Sequence, residues 1–476
     1  MRNLTMLTDL YQLTMMQGYY INGKHNDRAV FDVFFRQNAN MTYALAAGLE
    51  EVVDYIRGLH FEATDIAYLK SLGMFRDDFL EYLKNFRFQG DLYAVPEGTI
   101  VYPSEPIVTV VAGLAEAQLI ETALLNLVNH ATLIATKASR IVEAAGTSAI
   151  IEFGLRRAQG PDAGVYGARA CMIGGCKGTS NMLAAQMYGI PPKGTHAHSW
   201  VMSFDSELEA FRAYAKLYPD NCLLLVDTYD TLKSGVPNAI KVFDELTASG
   251  HRPVGIRLDS GDLAYLSKQA RKLLDDAGYP DAMIFGGGDV DENVLQSLNA
   301  QGAKIDAYGV GTRMITSADM PALGGVYKLA AIERGGVMEP RMKFSDSAVK
   351  ITNPCFKDLY RVYVGGKAFA DVIALKDEQL PKPLTLTHPL ERWKTTVVED
   401  YTLRKLQVKV FENGELIYTP PTLDEIIAYA ETEKESFWAE YRRLVNPHLY
   451  KVDLSDGLYE IKQQLLTKHR AAQAEK

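Results

Sequence analysis

The stretch PVGIRLDSGDLAYLSKQARKLLDDAGYPDAMIFGGG, residues 253–288, contains two short apolar runs separated by a polar turn and a helical pattern. Pro253–Leu258 and Ala282–Phe285 have the length and composition of buried β-strands. Between them, one helical face collects the apolar side chains Leu263, Leu266, Ala270, Leu273, Leu274 and Ala277. The stretch therefore predicts a strand, a turn, a helix and a second strand, which is the repeating unit of α/β proteins.

Apolar runs of this kind recur along the middle of the chain at intervals of roughly 20–30 residues, the length of one βα unit. The eight runs are residues 148–153, 170–174, 197–202, 222–226, 253–258, 282–285, 304–310 and 325–332. Eight successive units favour an irregular (β/α)8-type barrel that closes on itself. The alternative is an open doubly wound sheet, which is disfavoured because no GxGxxG turn follows the first run.

The length of the chain and the changes in its sequence pattern indicate more than one domain. At about 100–200 residues per domain, 476 residues allow two to four domains. We expect an α/β N-terminal domain over residues 1–135, completed by residues 341–385, where a strand-like pattern returns. The barrel is expected over 136–340, and the polar residues 386–476 predict a mainly helical C-terminal segment.

Charge and cysteine content exclude several classes of protein. The net charge is -9, from 50 basic and 59 acidic residues, which argues against binding to nucleic acid or to an anionic membrane. The four cysteines form no CxxC pair, which is typical of reduced thiols in an intracellular protein. The first residues lack the apolar region of a signal peptide, and charges interrupt the apolar stretch Val108–Ala145. We therefore expect a cytoplasmic protein.

Polar and Gly-rich segments follow most of the predicted strands. In barrels the active site lies at the carboxyl ends of the strands. The segments are EFGLRRAQG (152–160), GGCKGTSN (174–181), GTHAHSW (194–200), DTYDT (227–231), RLDSGD (257–262), GGGDVDEN (286–293) and GVGTRM (309–314). The accumulation of Arg, His, Asp and Gly at these positions predicts an active site.

The tetrapeptide Gly309–Thr312, GVGT, has the form of a phosphate-binding turn. Glycine lets backbone N–H groups approach an anion closely, and the start of a helix adds partial positive charge. A plain tight turn would have the same sequence. A P-loop is not predicted, because GGCKGTS has the wrong spacing.

Charged and aromatic residues at the other predicted strand ends suit an anionic substrate. Asp259 could hold a ribose hydroxyl or Mg²⁺, and Arg257 could pair with a phosphate, whereas Asp262 suits the N-cap of the next helix. Arg156 could bind a carboxylate or phosphate, with a surface ion pair as the alternative. Phe153 could stack on an aromatic ring or fill the core.

His196 and His198 lie two positions apart, so both would face the same way in an extended segment. No third and fourth ligand occurs at a useful spacing, which disfavours zinc. Beside arginine and a phosphate-binding turn, a histidine can act as a nucleophile or as an acid or base, although many histidines are purely structural.

Seven blocks together resemble the nicotinate phosphoribosyltransferase family, in order and over nearly the whole chain. They are TDLYQLTM (8–15), FDVFFR (31–36), EFGLRRAQG, KGTSN (177–181), GTHAHS (194–199), RLDSGD and GVGT. The resemblance implies an α/β N-terminal domain joined to an irregular barrel, in a homodimer whose active sites are shared between subunits. It also implies that nicotinate and phosphoribosyl pyrophosphate (PRPP) react to nicotinate mononucleotide and pyrophosphate, on the route to NAD, with Mg²⁺ and coupled to ATP hydrolysis through a phosphohistidine.

The family's site residues can be placed on matching positions of this sequence. His198 matches the phosphorylated histidine, and Arg257 and Asp259 match catalytic residues that also hold PRPP. The positions implied to contact nicotinate are Phe153, Arg156, Ser180 and, from the partner subunit, Tyr11. Those implied to bind phosphate are Arg156, Gly287, Gly288, Gly311 and Thr312.

The segment KGTS, with Ser180, bears on the choice of substrate. Nicotinamide-specific relatives resemble KGTD here, and an aspartate would repel the carboxylate of nicotinate. Serine therefore favours the acid over the amide. Phosphoribosyltransferases of the same fold that act on nicotinamide or quinolinate remain the alternatives, together with a non-catalytic barrel that serves as a binding protein. A Schiff-base aldolase would need a well-placed lysine, for which Lys177 and Lys328 are the nearest candidates.

Overall fold

The computed structural model describes residues 3–36, 41–345, 347, 350–388, 391 and 393–474. The chain divides into two compact units. The first unit comprises Met1–Leu133 and Ala322–Lys476, and the second comprises Ile134–Pro321. The boundary at residue 133 falls within one continuous helix, Glu121–Ala145.

The strands, in chain order, are β1 (Arg28–Phe35), β2 (Ala44–Leu45), β3 (Asp91–Ala94), β4 (Ile100–Val101), β5 (Val108–Gly113), β6 (Ala149–Glu152), β7 (Leu223–Leu225), β8 (Gly255–Leu258), β9 (Met283–Gly286), β10 (Ala307–Val310), β11 (Gly325–Arg334), β12 (Val337–Pro340), β13 (Lys357–Val364), β14 (Lys367–Leu375), β15 (Leu384–Thr387), β16 (Thr395–Val398), β17 (Thr402–Lys405), β18 (Val408–Glu412), β19 (Glu415–Leu416) and β20 (Lys451–Leu454).

The α-helices are α1 (Leu10–Ile21), α2 (Leu49–Arg57), α3 (Ala63–Ser71), α4 (Asp77–Lys84), α5 (Leu114–Leu119), α6 (Glu121–Ala145), α7 (Pro161–Ile173), α8 (Met182–Tyr188), α9 (His198–Met202), α10 (Glu207–Leu217), α11 (Val236–Ala248), α12 (Leu263–Asp276), α13 (Glu292–Ala300), α14 (Thr312–Ile315), α15 (Leu423–Ser436), α16 (Ala439–Arg442) and α17 (Asp456–Ala474). Short 3₁₀ turns span Leu155–Arg157 and Pro219–Asn221, and a π-helical turn spans Thr231–Gly235.

The first unit is built on a seven-stranded sheet with the order β12-β11-β1-β5-β3-β18-β19. β1 pairs antiparallel with β11 and β5, and nearly all of its side chains are buried, so its sequence RAVFDVFF is apolar at successive positions. Asp32 is the buried charged residue of this strand, and it forms an ion pair with Lys357 at 2.7 Å. A second sheet in this unit has the order β17-β13-β14-β20.

Arg361 of β13 forms the most buried charged network in the second sheet of the first unit. Its side chain is 0% exposed, and its guanidinium donates to both carboxylate oxygens of Asp371, at 2.9 and 2.6 Å. It also donates to Glu433 and to the carbonyl oxygen of Ile100, and it lies 4.7 Å from the ring centroid of Phe437. A charge without solvent is tolerated only with such complete pairing.

The second unit contains a five-stranded parallel sheet with the order β6-β10-β9-β8-β7. The predicted unit at 253–288 is confirmed as β8, α12 and β9, and Gly255 pairs in parallel with Met283. Asp262 caps α12 as predicted, because its carboxylate accepts from the backbone N–H of Tyr265 at 3.0 Å. The mixed α/β class is therefore correct.

The prediction of a closed eight-stranded barrel is not met by the described residues. The predicted strand at 170–174 belongs largely to α7, and the one at 197–202 largely to α9. The eighth run, 325–332, forms β11 in the antiparallel sheet of the first unit. Hydrophobicity alone cannot separate a short buried helix from a short buried strand, and it carries no information about which sheet a strand joins.

Single-residue bridges and one side-chain hydrogen bond connect β6 to β7 through residues that lie between the predicted strands at 170–174 and 197–202. Glu152 at the end of β6 bridges in parallel to Thr179, and Thr179 bridges to Pro192. The Thr195 hydroxyl then donates to the carbonyl oxygen of Leu223 in β7 at 2.9 Å. Residues 179–195 are thus tied to both edge strands of the sheet.

The C-terminal part of the chain departs from the predicted helical segment. Residues 386–422 contain β16–β19, and the described part of 423–474 is mostly helical, in α15–α17, interrupted by β20. Strands of four or five residues, such as β16 with the sequence TTVV, are too short for a period of two to stand out. Within the described residues, no helix is long and apolar enough to cross a membrane.

We expect Arg361→Ala to lower the free energy of unfolding by about 3–5 kcal/mol, because it leaves buried carboxylates without their guanidinium. Urea unfolding followed by circular dichroism measures the change. Arg76→Ala is the control, since the Arg76–Asp78 pair is exposed and its loss should leave the midpoint almost unchanged. An equally small effect for both variants would contradict the prediction.

Candidate active site

The carboxyl ends of β6–β10 lie at one edge of the parallel sheet, because parallel strands run in the same direction. We call the residues that end or follow these strands the rim. Ligands of open α/β sheets bind at this edge. The sequence-predicted residues brought together here are Phe153, Arg257, Asp259, Gly287, Gly288, Gly311 and Thr312.

Phe153 and Phe285 form an aromatic pair at the rim, and we call the half-buried side of this pair the aromatic slot. The Phe153 ring stacks on Phe285, with centroids 5.7 Å apart. Gly309 leaves room for this ring, since a Cβ atom there would lie 2.5 Å from Cδ2 of Phe153. The guanidinium carbon of Arg257 lies 5.5 Å from the centroid of the Phe153 ring. A half-buried aromatic face beside a positive charge suits a flat anionic ring.

Arg257 also pairs with Asp259, with 2.9 Å between Nη2 and Oδ1. Gly287 makes the position of Asp259 possible, because a Cβ atom at residue 287 would lie 2.0 Å from that same Oδ1. The N–H of Gly287 already donates to the carbonyl oxygen of Leu258 at 2.8 Å. Gly287 therefore contributes space at the rim, and its backbone donor is engaged within the sheet.

Asp227, which follows β7, holds the loop that carries Asp259. Its Oδ2 accepts from the backbone N–H of Asp259 at 2.9 Å and from the hydroxyl of Ser260 at 2.6 Å. Among the described residues, neither Oδ1 of Asp227 nor Nε of Arg257 has a hydrogen-bond partner, although both atoms are buried. Unpartnered polar atoms at a rim are positions that a polar ligand can satisfy.

His198 is the first residue of α9 and is half-buried. Its Nδ1 lies 3.1 Å from the hydroxyl oxygen of Thr228, which follows β7. A hydrogen bond at one ring nitrogen orients the imidazole and distinguishes the two nitrogens chemically. The structure thus ties the predicted histidine to the same strand end that carries Asp227.

His196 has a structural environment. It is buried, its ring meets Tyr214 edge-on at 4.7 Å, and its Nε2 accepts from the N–H of Leu225 at 3.3 Å. Burial lowers the pKa of His196 to about 4, and the positive charges of Arg257 and His198 act in the same direction. A neutral, buried histidine that accepts a backbone hydrogen bond supports the sheet edge.

Ser180 lies beside Phe153 because two rim segments are joined. The N–H of Ser180 donates to the carbonyl oxygen of Glu152 at 2.9 Å, and Glu152 immediately precedes Phe153. The carboxylate of Glu152 accepts from Thr179 and Gly154. Burial raises the pKa of Glu152, and these two hydrogen bonds oppose the rise.

Three other predicted residues are exposed. Arg156 and Ser180 are accessible at the rim and can meet a ligand. Tyr11 belongs to the first unit, where it lies on α1 with 47% of its surface exposed.

The predicted phosphate-binding residues occupy two turns. Gly288 has a φ of +103°, a conformation that favours glycine. Gly311 precedes the short helix α14, and a Cβ atom there would lie 3.0 Å from the carbonyl oxygen of Phe153. Thr312, the first residue of α14, is half-buried. The second turn therefore lies against the aromatic slot.

The described residues contain no group of three or more His, Cys, Asp or Glu side chains arranged to hold a metal ion. The rim offers two carboxylates, Asp227 and Asp259, linked through one loop. Mg²⁺ is commonly bound by one or two carboxylates together with phosphate oxygens of the substrate. The two carboxylates are therefore compatible with Mg²⁺ that arrives with a phosphorylated substrate.

Sequence reasoning gave no role to Asp227, Thr228, Phe285 or Glu152. The segment DTYDT was recognised as a strand end, which was a usable signal for the first two. Glu152 opens the segment EFGLRRAQG, so its place at a strand end was also visible in the sequence, whereas Phe285 lies inside an apolar strand pattern and has no distinguishing sequence signal.

Family models match three consecutive parts of the chain. The model described as the nicotinate phosphoribosyltransferase N-terminal domain matches residues 6–129. The nicotinate phosphoribosyltransferase family model matches residues 148–354 and therefore contains the whole rim. The model of the C-terminal domain of the same family matches residues 356–462.

Curated relatives are similar to this chain over nearly their full length. A nicotinate phosphoribosyltransferase of Bacillus subtilis is 45% identical, covering 97% of this chain and 95% of that protein. A nicotinate phosphoribosyltransferase of Caenorhabditis elegans is 38% identical over 96% of this chain and 92% of that protein.

Solved structures show the same architecture. The crystal structure of human nicotinic acid phosphoribosyltransferase matches with a TM-score of 0.86 and 31% identity, covering 96% of this chain and 99% of that one. The nicotinate-nucleotide pyrophosphorylase of Pyrococcus furiosus matches with a TM-score of 0.70 and 22% identity, over 91% of this chain and 96% of that one. The second likeness concerns the fold alone.

The buried His196 predicts a specific dependence of stability on pH. Its folded-state pKa of about 4 lies below the ordinary value of about 6.5, so the unfolded chain binds more protons between these values. The contribution of His196 is complete above pH 6.5 and is lost as the pH falls towards 4, by roughly 2–3 kcal/mol. We expect His196→Gln, which keeps an acceptor for Leu225, to lose less stability than the wild type between pH 7 and pH 4.5. Urea unfolding at both pH values tests this, and equal losses would contradict it.

Proposed function

The chain belongs to the nicotinate phosphoribosyltransferase family, and we propose that it converts nicotinate and PRPP into nicotinate mononucleotide and pyrophosphate, on the route to NAD. The observation that carries this proposal is the placement of Arg257. Its guanidinium lies beside the Phe153 ring and also pairs with Asp259. Arg257 thus connects the aromatic slot, which suits a flat ring, to the carboxylate of Asp259, which suits a sugar hydroxyl.

Nicotinate would lie in the aromatic slot. Phe153 would stack on one face of the pyridine ring and Tyr11 of the partner subunit on the other, which makes a homodimer the functional form. Arg156 would attract the carboxylate, and the hydroxyl of Ser180 can donate a hydrogen bond to it. Arg257 adds a positive charge at the edge of the slot.

PRPP would extend from the slot along the rim. Asp259 would hold the ribose, with Arg257 on the pyrophosphate, and the two turns with Gly287, Gly288, Gly311 and Thr312 would receive the 5′-phosphate. Because the Gly287 N–H is engaged by Leu258, the donors are expected from the other members of this group.

The reaction forms a bond between the pyridine nitrogen and C1 of the ribose and breaks the bond from C1 to the pyrophosphate oxygen. Positive charge develops on the ribose as the pyrophosphate leaves. The carboxylate of Asp259 can stabilise that charge, and Arg257 can stabilise the leaving group. Bound Mg²⁺ would neutralise part of the pyrophosphate charge, with Asp227 and Asp259 as its protein ligands.

ATP hydrolysis would act through phosphorylation of His198. A phosphate adds almost two negative charges at this position. Thr228, which contacts His198, is adjacent to Asp227, and Asp227 binds the loop of Asp259. Phosphorylation can therefore alter the PRPP site through this strand end, and a difference in substrate affinity between the two states is sufficient for coupling.

Two alternatives belong to the same fold. A nicotinamide phosphoribosyltransferase is disfavoured by Ser180, and a quinolinate enzyme would need more positive charge for its second carboxylate. A non-catalytic binding protein is disfavoured because His198, Arg257 and Asp259 are all present, the last two as an ordered pair.

A substrate panel tests the proposed reaction and the role of Ser180. We expect product from PRPP with nicotinate and not with nicotinamide or quinolinate. In Ser180→Asp, kcat/KM for nicotinate should fall by about a hundredfold or more, because two carboxylates would meet in a partly dry site. Ser180→Ala is the matched control and should change it by less than about tenfold. Turnover of nicotinamide by the wild type would overturn the assignment of the acid.

His198→Asn tests the coupling to ATP. We expect this variant to lose stimulation by ATP and the transient gain in mass of one phosphate, while slow turnover without ATP persists. Steady-state kinetics with and without ATP and Mg²⁺, followed by intact-mass analysis, measure both effects. Full stimulation by ATP in the variant would refute the role of His198.

A further inference from the structure

Glu152 is a fully buried carboxylate, 0% exposed, at the end of β6. Its two oxygens serve different rim segments. Oε1 accepts from the N–H of Gly154, in the turn that follows Phe153. Oε2 accepts from the hydroxyl of Thr179, the residue before Ser180, at 2.5 Å. One side chain therefore links the aromatic slot to the segment that discriminates acid from amide.

The backbone reinforces the same link. The N–H of Glu152 donates to the carbonyl oxygen of Gly178 at 2.9 Å, and its carbonyl oxygen accepts from the N–H of Ser180 at 2.9 Å. Glu152 and Thr179 form a single bridge and not a continuous ladder. The N–H of Lys177 also donates to the carbonyl oxygen of Ile150 at 2.8 Å, so the backbone holds the two segments together and the Glu152 side chain adds the links to Gly154 and Thr179.

The hydrogen bonds around Thr179 indicate that Glu152 acts as an acceptor at both oxygens. The backbone N–H of Asn181 donates to the hydroxyl oxygen of Thr179 at 3.0 Å. The one hydroxyl proton of Thr179 is then directed towards Glu152. Each carboxylate oxygen then has a donor, and no other residue type of that length accepts at both ends.

A buried carboxylate of this kind does not serve stability alone. Removing a carboxylate from water costs several kcal/mol, and apolar residues of similar volume often pack at lower cost. Neighbouring positions of β6, Ile150 and Ile151, are apolar and buried. Departures from the local pattern of this sort concentrate at functional sites.

We propose that Glu152 is a positioning residue that sets the separation between Phe153 and Ser180, and so shapes the pocket for the pyridine carboxylate. This inference rests on the proposed function, because it takes Phe153 and Ser180 as nicotinate contacts. Glu152 itself touches no substrate and acts through Gly154 and Thr179. Gly311 of the proposed phosphate turn adjoins Phe153 and Gly154, so the link from Glu152 to Thr179, which leads to Ser180, is the one expected to affect nicotinate alone.

The test separates the two substrates kinetically. Thr179→Val removes one of the two links, and we expect KM for nicotinate to rise about tenfold, with KM for PRPP and kcat within about twofold of wild type. Thr179→Ser keeps the hydroxyl and is the matched control, expected to behave as the wild type. Glu152→Gln keeps an acceptor for Gly154, and its amide can donate to the Thr179 oxygen, so a rise of only a few-fold is expected.

Glu152→Ala removes both links and should raise KM for nicotinate at least as much as Thr179→Val. The double variant Glu152→Ala/Thr179→Val should be no worse than Glu152→Ala, because Thr179 acts through Glu152. If Glu152→Ala fails to fold, the comparison of Thr179→Val with Thr179→Ser still tests the proposal. An unchanged KM for nicotinate in folded Thr179→Val would overturn the proposal. An equally large rise in KM for PRPP together with a similar fall in kcat would also overturn it. Failure of the wild type to use nicotinate would instead overturn the proposed function.

Discussion

The parallel pairing of β6–β10 is the constraint on which the rim depends. Parallel strands deliver their carboxyl ends to one edge, so Phe153, Asp227, Asp259 and Gly287 meet there although they are distant in sequence. Glycine then decides how closely they approach. At Gly287 and Gly309, a Cβ atom would collide with Asp259 and with Phe153. The register of five short strands and the absence of a side chain at these two glycines thus place an aromatic slot beside a charged pair.

The two units use buried charge in different ways. Around Arg361 the pairing is complete, with hydrogen bonds to carboxylates and to a backbone carbonyl oxygen, so the network serves the fold. At the rim the pairing is incomplete, since Nε of Arg257 and Oδ1 of Asp227 lack partners among the described residues. Buried polar atoms left unsatisfied are costly, and under the proposed function a phosphorylated sugar with its Mg²⁺ would supply partners for them. Glu152 shares features of both cases. Its carboxylate has hydrogen-bond partners within the protein, and it connects two segments that we propose to face the ligand.

The success of sequence reasoning depended on the length and pattern of each element. In the unit at 253–288 the two strands, the helix and the capping aspartate were found as predicted. The buried face of α12 is Ala264, Ser267, Ala270 and Leu274, and only Ala270 and Leu274 belong to the predicted face. The runs at 170–174 and 197–202 are too short for periodicity to distinguish helix from strand, and both are mainly helical. Residues 325–332 are a strand, but their partner is β1 in another sheet, and hydrophobicity does not encode pairing. Motifs placed most of the rim, whereas Asp227 and Glu152 needed coordinates to show what their oxygens contact.

The sequence by itself determined the α/β class, the strand ends that carry chemistry and, through its motifs, the family. These features are local: spacing of apolar residues, glycine at turns, and charged residues directly after strands. Only the tertiary structure decided which sheet each strand joins, that the ladder of the second unit has five strands, and that Arg257 reaches both Phe153 and Asp259. It also decided that Gly287 supplies space where a backbone donor was expected. The physical reason is that distances between residues far apart in sequence follow from strand register and packing, which no local pattern contains.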